Sequence, residues 1–391
     1  MTRSMVNPLQ NFERRIIRPV EGLTVSEWAA KNRRLTPKTS AIPGPWKNET
    51  APYLVQPMDE LCSEIVEELD LCTATQVGKT ELEINQYCYC LDQDQGPALF
   101  VYPTVDLAEY TARHRIKEAI QNARSFREDP EIGERVNENK ILEYSLRGMI
   151  TTFVGANSAT NLSSRPIRYL WFDEVDKFPD FLSKEANPLK LAWERTKTFW
   201  NRFVVKVSSP TVPEGAIWSS LQTCDIVFTY HVPCPHCGGY QPLVFDQVKF
   251  GEERDPEKVE AVAHYECAKC REIIRDSQKP QMLLAGKWTP TKLTDRAPVP
   301  RSRAKKVGYH LSSLYSSFVT FGQVAREFVE CKDYPELLRN FVNGWLAMPW
   351  VEKQDRIDIR DLLDSTSYQE ARVPGGVEFL TSGVDVHKGH L

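Results

Sequence analysis

The chain has 391 residues, 41% hydrophobic and 26% charged, with a formal charge of -4 at pH 7. That length accommodates about two or three domains with cores of their own. The near-neutral balance excludes a globally basic nucleic-acid binder, and no apolar run approaches the ~20 residues of a membrane span. The opening residues MTRSMVNPLQNFERR lack the apolar core of a secretory signal, so the expected compartment is cytoplasmic.

Residues 1–50 are polar and broken by proline, and form an arm and lid segment in which Val25 to Arg33 reads as a short helix and Pro43 to Trp46 as a turn. The spacing of Met58, Leu61, Ile65, Val66 and Leu69 predicts a helix over Tyr53 to Leu69. An apolar run through Leu69, Leu71 and Cys72 then enters a short polar loop, Thr75-Gln76-Val77-Gly78-Lys79-Thr80, followed by a helical pattern from Glu81. Strand, loop, Gly-Lys-Thr and helix make a phosphate-binding loop. Backbone N–H groups and the helix N-terminus surround the phosphates, Lys79 meets the β/γ oxygens, and the Thr80 hydroxyl reaches Mg²⁺. Thr73 stands where the usual pattern has its leading glycine.

Strand and helix patterns then alternate. Ala98 to Tyr102, Met149 to Val154, Tyr169 to Phe172 and Phe203 to Val207 read as strands, and Val105 to Arg124 as an amphipathic helix. The expected fold is α/β, a RecA/ASCE-type P-loop ATPase core over residues 51–225 with a mostly parallel sheet and flanking helices. Tyr169-Leu170-Trp171-Phe172 ends in Asp173-Glu174, the acidic partner such a loop requires: Asp173 for magnesium and Glu174 to polarise the attacking water. Of the two nearby arginines, Arg165 in its loop is preferred over Arg168 as a cation for the γ-phosphate, acting in trans, with a solvated loop arginine as the other reading. Ser208, Ser209, Pro210 and Thr211 end the next strand and suit a segment that couples phosphate loss to movement.

From Ile226 to residue 307 the texture changes to short strands, turns and cysteine pairs. Cys234-Pro-His-Cys237 and Cys267-Ala-Lys-Cys270 form CxxC-x29-CxxC, a structural Zn²⁺ signal in which four thiolates close the site. His236 and His264 are expected bystanders. Cys62, Cys72, Cys88, Cys90, Cys224 and Cys331 read as small buried hydrophobes. The run Arg296 to Lys306 carries five positive charges in eleven residues, suited either to a phosphate backbone or to solvent. Residues 308–350 read as a helical segment that completes this region, with helices over Phe321 to Lys332 and Pro335 to Leu346. Residues 351–378 read as a linker, and 379–391 as the first strand of a further domain.

With these residues placed, the chain resembles the large terminase subunit of tailed bacteriophages, the lambda-type packaging motors. The resemblance runs through Ser26-Glu27-Trp28-Ala29, Pro43-Gly44-Pro45-Trp46, the phosphate loop, Asn157 to Pro166, Phe172 to Asp176 and Pro233 to Cys237. It continues through Gly308 to Tyr315, Phe341 to Leu346 and Gly383-Val384-Asp385. It implies an ATP-driven translocase in the host cytoplasm that moves double-stranded viral DNA into a procapsid, working as a homo-oligomeric ring with the portal ring and the small terminase subunit. It also implies a C-terminal RNase H-like endonuclease using Mg²⁺ or Mn²⁺, with Asp385 as its first metal carboxylate. The other nuclease carboxylates have no counterpart in the six residues after it, so cleavage is expected only of a longer form. In this family an aromatic residue or glutamine before the loop contacts the base, which points to Trp46, Tyr53 or Gln56, with a core role for Tyr53 as the alternative. Two other readings stand beside it: a superfamily-two helicase, and a zinc-stapled DNA-binding protein with a vestigial ATP site.

Overall fold

A computed structural model describes residues 22–127, 140–163, 165–179, 187–291 and 297–352, together with Ile132 and Val136. The chain divides into a unit over Met1–Trp350 and a second over Val351–Leu391. The second unit lies outside the described residues except for Val351 and Glu352, and so do the expected linker, the strand 379–391 and Asp385.

Two short strands, β1 (Arg34–Leu35) and β2 (Gly44–Pro45), pair as a hairpin near the amino end. The main sheet has ten strands. They are β3 (Glu68–Thr73), β4 (Ala98–Tyr102), β5 (Glu143–Leu146), β6 (Met149–Gly155), β7 (Tyr169–Asp173), β8 (Phe203–Ser208), β9 (Ile226–Pro233), β10 (Tyr240–Pro242), β14 (Lys287–Pro290) and β15 (Lys306–Leu311). Strands β9, β15, β3, β8, β7, β4 and β6 are neighbours in that order and all parallel. Antiparallel β5 closes one edge, and β10 and β14 both pair with β9 at the other. The remaining strands, β11 (Val248–Lys249), β12 (His264–Glu266) and β13 (Ile273–Ile274), form a separate small antiparallel sheet.

Parallel strands covered on both faces show apolar runs without alternation. Every residue of β4 and β7 is buried. Phe100 stacks on Trp171 at 4.6 Å between ring centroids and on Phe153 at 5.4 Å, and Tyr87 of the helix Lys79–Gln93 meets both Phe100 and Trp171 edge-on. One buried charge cluster crosses the sheet: Asp70 of β3, fully buried, faces Lys206 of β8 at 3.6 Å and Lys306 of β15 at 3.2 Å. Burial opposes ionisation of Asp70, but the two ammonium groups outweigh it and hold its carboxyl below the usual range.

Two sequence expectations change here. The helix expected over Tyr53 to Leu69 ends by Cys62 after short helical turns, and the chain is strand from Glu68. Leu69 to Thr73 are all buried, so that apolar stretch belongs to a strand covered on both faces rather than to one face of a helix. The boundaries at 225/226 and 307/308 cut through the main sheet, because β9 and β15 pair in parallel with each other and β15 with β3. The zinc-type segment is therefore an excursion between two strands of one sheet. The helix Val25–Asn32 matches its expected span and starts with a capping box between Thr24 and Glu27. The helices Phe321–Cys331 and Pro335–Gly344 also fall where expected.

Candidate functional site

The carboxyl ends of β3, β8 and β7 meet at one edge, where ligands gather in parallel sheets. Register makes this tight: Cys72 pairs with Ser208, and Asp173 with Val207. Because β8 lies between the phosphate-loop strand and the acidic strand, three expected site segments converge. Lys79 Nζ donates to Glu174 Oε1 at 2.8 Å and to Ser209 Oγ at 3.0 Å. Lys79 is 7% exposed.

The loop bends through two left-handed residues, Gln76 (φ 58°) and Gly78 (φ 98°). A Cβ on Gly78 would sit 2.8 Å from Leu54 Cδ1, so glycine is needed there for space as well as for backbone angle. Thr73 has no positive φ and ends β3 as a buried strand residue, which explains why glycine is dispensable at that position. The loop is tied at its start: Ala74 N–H donates to Leu311 O at 2.9 Å and Thr75 N–H to Gly344 O at 2.9 Å.

Glu174 also adopts a left-handed backbone (φ 55°, ψ 54°), an uncommon conformation for a non-glycine residue that turns its carboxylate toward Lys79. Burial opposes its ionisation, yet Lys79 and then Lys177 hold its carboxyl below the usual range. Asp173 behaves oppositely: burial, then the charge of Glu174, push its carboxyl up to about 6. Two adjacent carboxyls thus differ in proton affinity because only one has an ammonium partner in contact. A place where burial and a like charge both disfavour Asp173 ionisation is one where a hard dication would be stabilising, and Thr80 and Asp173 offer the oxygen donors it prefers.

A cavity of about 690 Å³ opens on this edge, lined by Thr75 to Glu81, Arg115, Glu174, the β1–β2 hairpin region, Ser316, Phe318 and Val319. That volume is in the range of small-ligand sites. Trp46 and Tyr53 line it. Gln56 does not: its Nε2 donates to Tyr309 Oη at 2.8 Å, beside a different cavity.

Four features escaped sequence reasoning. Asp176 is the hub of the turn after β8: its carboxylate accepts from Thr211 N–H and Oγ1, both at 2.8 Å, and from Ile217 N–H at 2.6 Å. Its own N–H donates to Ser208 Oγ at 3.3 Å. Its nearness to Asp173-Glu174 in sequence was the available signal. Glu83 is fully buried with both oxygens unpaired, and burial, then Asp173, raise its carboxyl well above the usual range. Glu81 pairs with both Arg33 and Arg115. Finally, the segment after the helix Pro335–Gly344 runs along the site. Besides the Gly344 contact, Ala347 O accepts from His310 Nε2 at 2.8 Å, and Trp350 N–H donates to Thr211 O at 2.8 Å. Patterning carries no trace of these last three.

The expected arginines lie apart from Lys79. Arg165 is half exposed and pairs with Glu143 at 2.6 Å, outside the cavity lining. Arg168 grips Asp94 through both terminal nitrogens at the amino end of β7, the opposite edge of the sheet. The basic run is largely consumed internally: Arg301 pairs with buried Glu60, Lys305 with Glu67 and Lys306 with Asp70, while Arg296 lies outside the described residues.

Cys234, Cys237, Cys267 and Cys270 bring their sulfurs within 4.8 Å of one another. The Cys234–Cys270 and Cys237–Cys267 separations, 3.8 and 4.0 Å, approach the ~3.8 Å edge of a tetrahedron with ~2.3 Å metal–sulfur bonds. Each knuckle turns through a left-handed residue directly after its second cysteine, Gly238 (φ 69°) and Arg271 (φ 63°). Backbone N–H groups of Cys270 and Lys269 overcome burial and bring the Cys267 thiol down to about 6. His236 and His264 bond to backbone carbonyls instead, as bystanders would. Cys62 is exposed, against expectation, while Cys72, Cys88, Cys90, Cys224 and Cys331 are buried. Among the described residues no helix is long and apolar enough to cross a membrane.

A family model described as phage terminase large subunit gpA, ATPase domain, matches residues 40–288, and the terminase large subunit gpA endonuclease domain matches residues 306–391. The second match begins at β15, within the ATPase sheet. The chain is 27% identical over 388 residues to the terminase large subunit of Enterobacteria phage P21, covering 94% of this chain and 59% of that protein. It is 25% identical over 406 residues to the terminase large subunit of Escherichia phage lambda, covering 98% and 62%. The chain thus spans less than two thirds of the length of these two relatives. A solved structure similar to it is the large terminase ATPase domain of Thermus phage P74-26, at 12% identity and a TM-score of 0.38, covering 74% of this chain and 92% of that one. The chain belongs to the gpA family of phage terminase large subunits.

Proposed function

We propose that this chain is the ATP-hydrolysing motor of a viral DNA-packaging machine. The observation that carries the reading is the convergence of Lys79, Glu174 and Ser209 at one sheet edge, beside a cavity of nucleotide size. ATP binds with its phosphates along Thr75 to Thr80 and its base toward Trp46 and Tyr53. Thr80 and Asp173 hold Mg²⁺, which when bound neutralises charge on the phosphate oxygens. Glu174, kept ionised by Lys79, takes a proton from a water whose oxygen attacks the γ-phosphorus. The bond to the β,γ-bridging oxygen breaks and ADP leaves with the electron pair. Arg165, half exposed and outside its own cavity, acts in trans on a neighbouring subunit of a ring, which favours it over the tethered Arg168. Ser208 to Thr211, gathered on Asp176, pass the change in phosphate contacts to the segment ending at Trp350.

The substrate moved is double-stranded viral DNA, entering a procapsid through its portal ring with the small terminase subunit as partner, in the host cytoplasm. The four cysteines hold a structural Zn²⁺ that staples the excursion between β9 and β15. Asp385 belongs to a nuclease that uses Mg²⁺ or Mn²⁺.

The test is ATP turnover by the purified chain with and without double-stranded DNA. DNA-stimulated hydrolysis that disappears in Lys79→Ala supports the motor; nucleotide-independent DNA binding with no turnover would leave only the zinc-stapled binding protein.

A further inference from the structure

Glu81 is one carboxylate shared by two guanidinium groups. Its Oε2 accepts from Arg33 Nη2 at 2.6 Å and its Oε1 from Arg115 Nη2 at 2.9 Å. The two arginines are held unequally. Arg33 is buried, and its Nε donates to Asn85 Oδ1 at 2.9 Å, so it is anchored at both ends of the guanidinium. Arg115 has a side chain 28% exposed, lines the same cavity as Thr75 to Thr80 and Glu174, and carries a buried Nε with no hydrogen-bond partner. One carboxylate against two cations leaves a net positive charge, and Arg115 is the member that presents it to the cavity.

The backbone at this point is also unusual. Arg115 lies in a π turn, Ala112–Ile116, between the helices Val105–Thr111 and Lys117–Asn122. Such single-turn insertions recur at functional sites because the added residue re-aims the side chains around it. Here Ala112 and Ile116 are fully buried and anchor the turn, while Arg113 and His114 are exposed. The charge of Arg115 acts on the carboxyls of both Asp173 and Glu83, countering part of what burial does to them. Its guanidinium thus shares one cavity wall with Lys79 and Glu174.

We propose that Arg115 is an intrasubunit ligand for the γ-phosphate of bound ATP, with Glu81 holding it in position. The proposal rests on the nucleotide reading given above. A guanidinium presents its donors in a fixed fork, and one of them is already committed to Glu81, so the orientation of the others is set before ligand arrives. ADP lacks the terminal phosphate, so Arg115 distinguishes the two nucleotides.

The experiment is equilibrium binding of ADP and of a non-hydrolysable β,γ-imido ATP analogue, by calorimetry, to the full chain and to its Arg115→Ala and Arg115→Lys variants. Arg115→Ala is expected to weaken the analogue about tenfold or more and ADP less than about twofold. Arg115→Lys, which keeps the charge but loses the fork, is expected to recover part of the loss. Retained ADP binding shows that cavity and fold are intact. Equal weakening of both ligands overturns the proposal and makes Arg115 a support for Glu81 and the loop. Unchanged analogue binding overturns it as well. If Arg115→Ala does not fold, Arg115→Lys decides: analogue weakened with ADP unchanged supports the role, and both unchanged or both weakened refutes it. A wild-type chain that binds neither nucleotide brings down the ATP reading together with this role, whereas a wild-type chain that binds both, beside Arg115 variants with no selective loss of the analogue, brings down this role alone.

Discussion

Lys79 Nζ donates to Glu174 Oε1 at 2.8 Å, joining the phosphate loop directly to the end of the acidic strand across 95 positions of sequence. The ammonium also donates to Ser209 Oγ, and a bound γ-phosphate would compete with both partners for it. Lys79→Ala is expected to abolish ATP binding in a fluorescent-nucleotide titration. Glu174→Gln is expected to keep ATP binding and lose about a hundredfold or more in single-turnover hydrolysis, the usual worth of a general base. Unimpaired turnover in Glu174→Gln would refute the assigned role.

Asp176 gathers the N–H groups of Thr211 and Ile217 on one carboxylate. A Cβ on Gly215 would lie 2.5 Å from its Oδ2, so the close approach is built into the backbone. Asp176→Ala is expected to cost about 1–3 kcal/mol for each donor left unpaired, read as a lower urea midpoint. ATP binding should persist, because Lys79 and Glu174 do not depend on this carboxylate for their contact. A midpoint equal to wild type would show that water replaces the carboxylate at no cost.

The four cysteines predict about one zinc per purified chain by elemental analysis. Cys267→Ser is expected to lose the metal and lower the thermal midpoint. A strong chelator should do the same to the wild-type chain while leaving Cys267→Ser unaffected. Full metal content in Cys267→Ser would disprove the tetrathiolate site.

His310 gives a pH prediction. Burial, only partly offset by Ala347 O, depresses its proton affinity below the ordinary 6.5. The carbonyl can only accept, so Nε2 carries a hydrogen, and burial disfavours a second on Nδ1. The unfolded chain then binds more protons than the folded one as pH falls below 6.5, and stability declines with it. His310→Gln should flatten this part of the stability-versus-pH curve in denaturant titrations. An unchanged slope would assign the acid sensitivity to other groups.

Much of the site was legible because its chemistry is local in sequence. The Gly78-Lys79-Thr80 turn, the Asp173-Glu174 strand end and the paired cysteines each need fixed spacing between neighbours, and short-range spacing is what a sequence displays. The apolar runs of β4 and β7 likewise announce strands buried on both faces. Tyr53 to Leu69 misled because its apolar positions fit a helix, while the sheet claimed its last residues for β3.

Pairings between distant segments leave no mark in the local pattern. Strand β15 enters between β3 and β9, so residues past the cysteine pairs complete the sheet that the phosphate loop begins. That insertion brings Gly344 to Thr75 and Trp350 to Thr211, and it spends much of the basic run on Glu60, Glu67 and Asp70. Arg115 became a site residue only when a π turn faced it into the cavity. Local spacing sets out which side chains are available for the proposed chemistry. Strand order and register determined which of them meet, because backbone hydrogen bonding between parallel strands is indifferent to the length of chain that separates them.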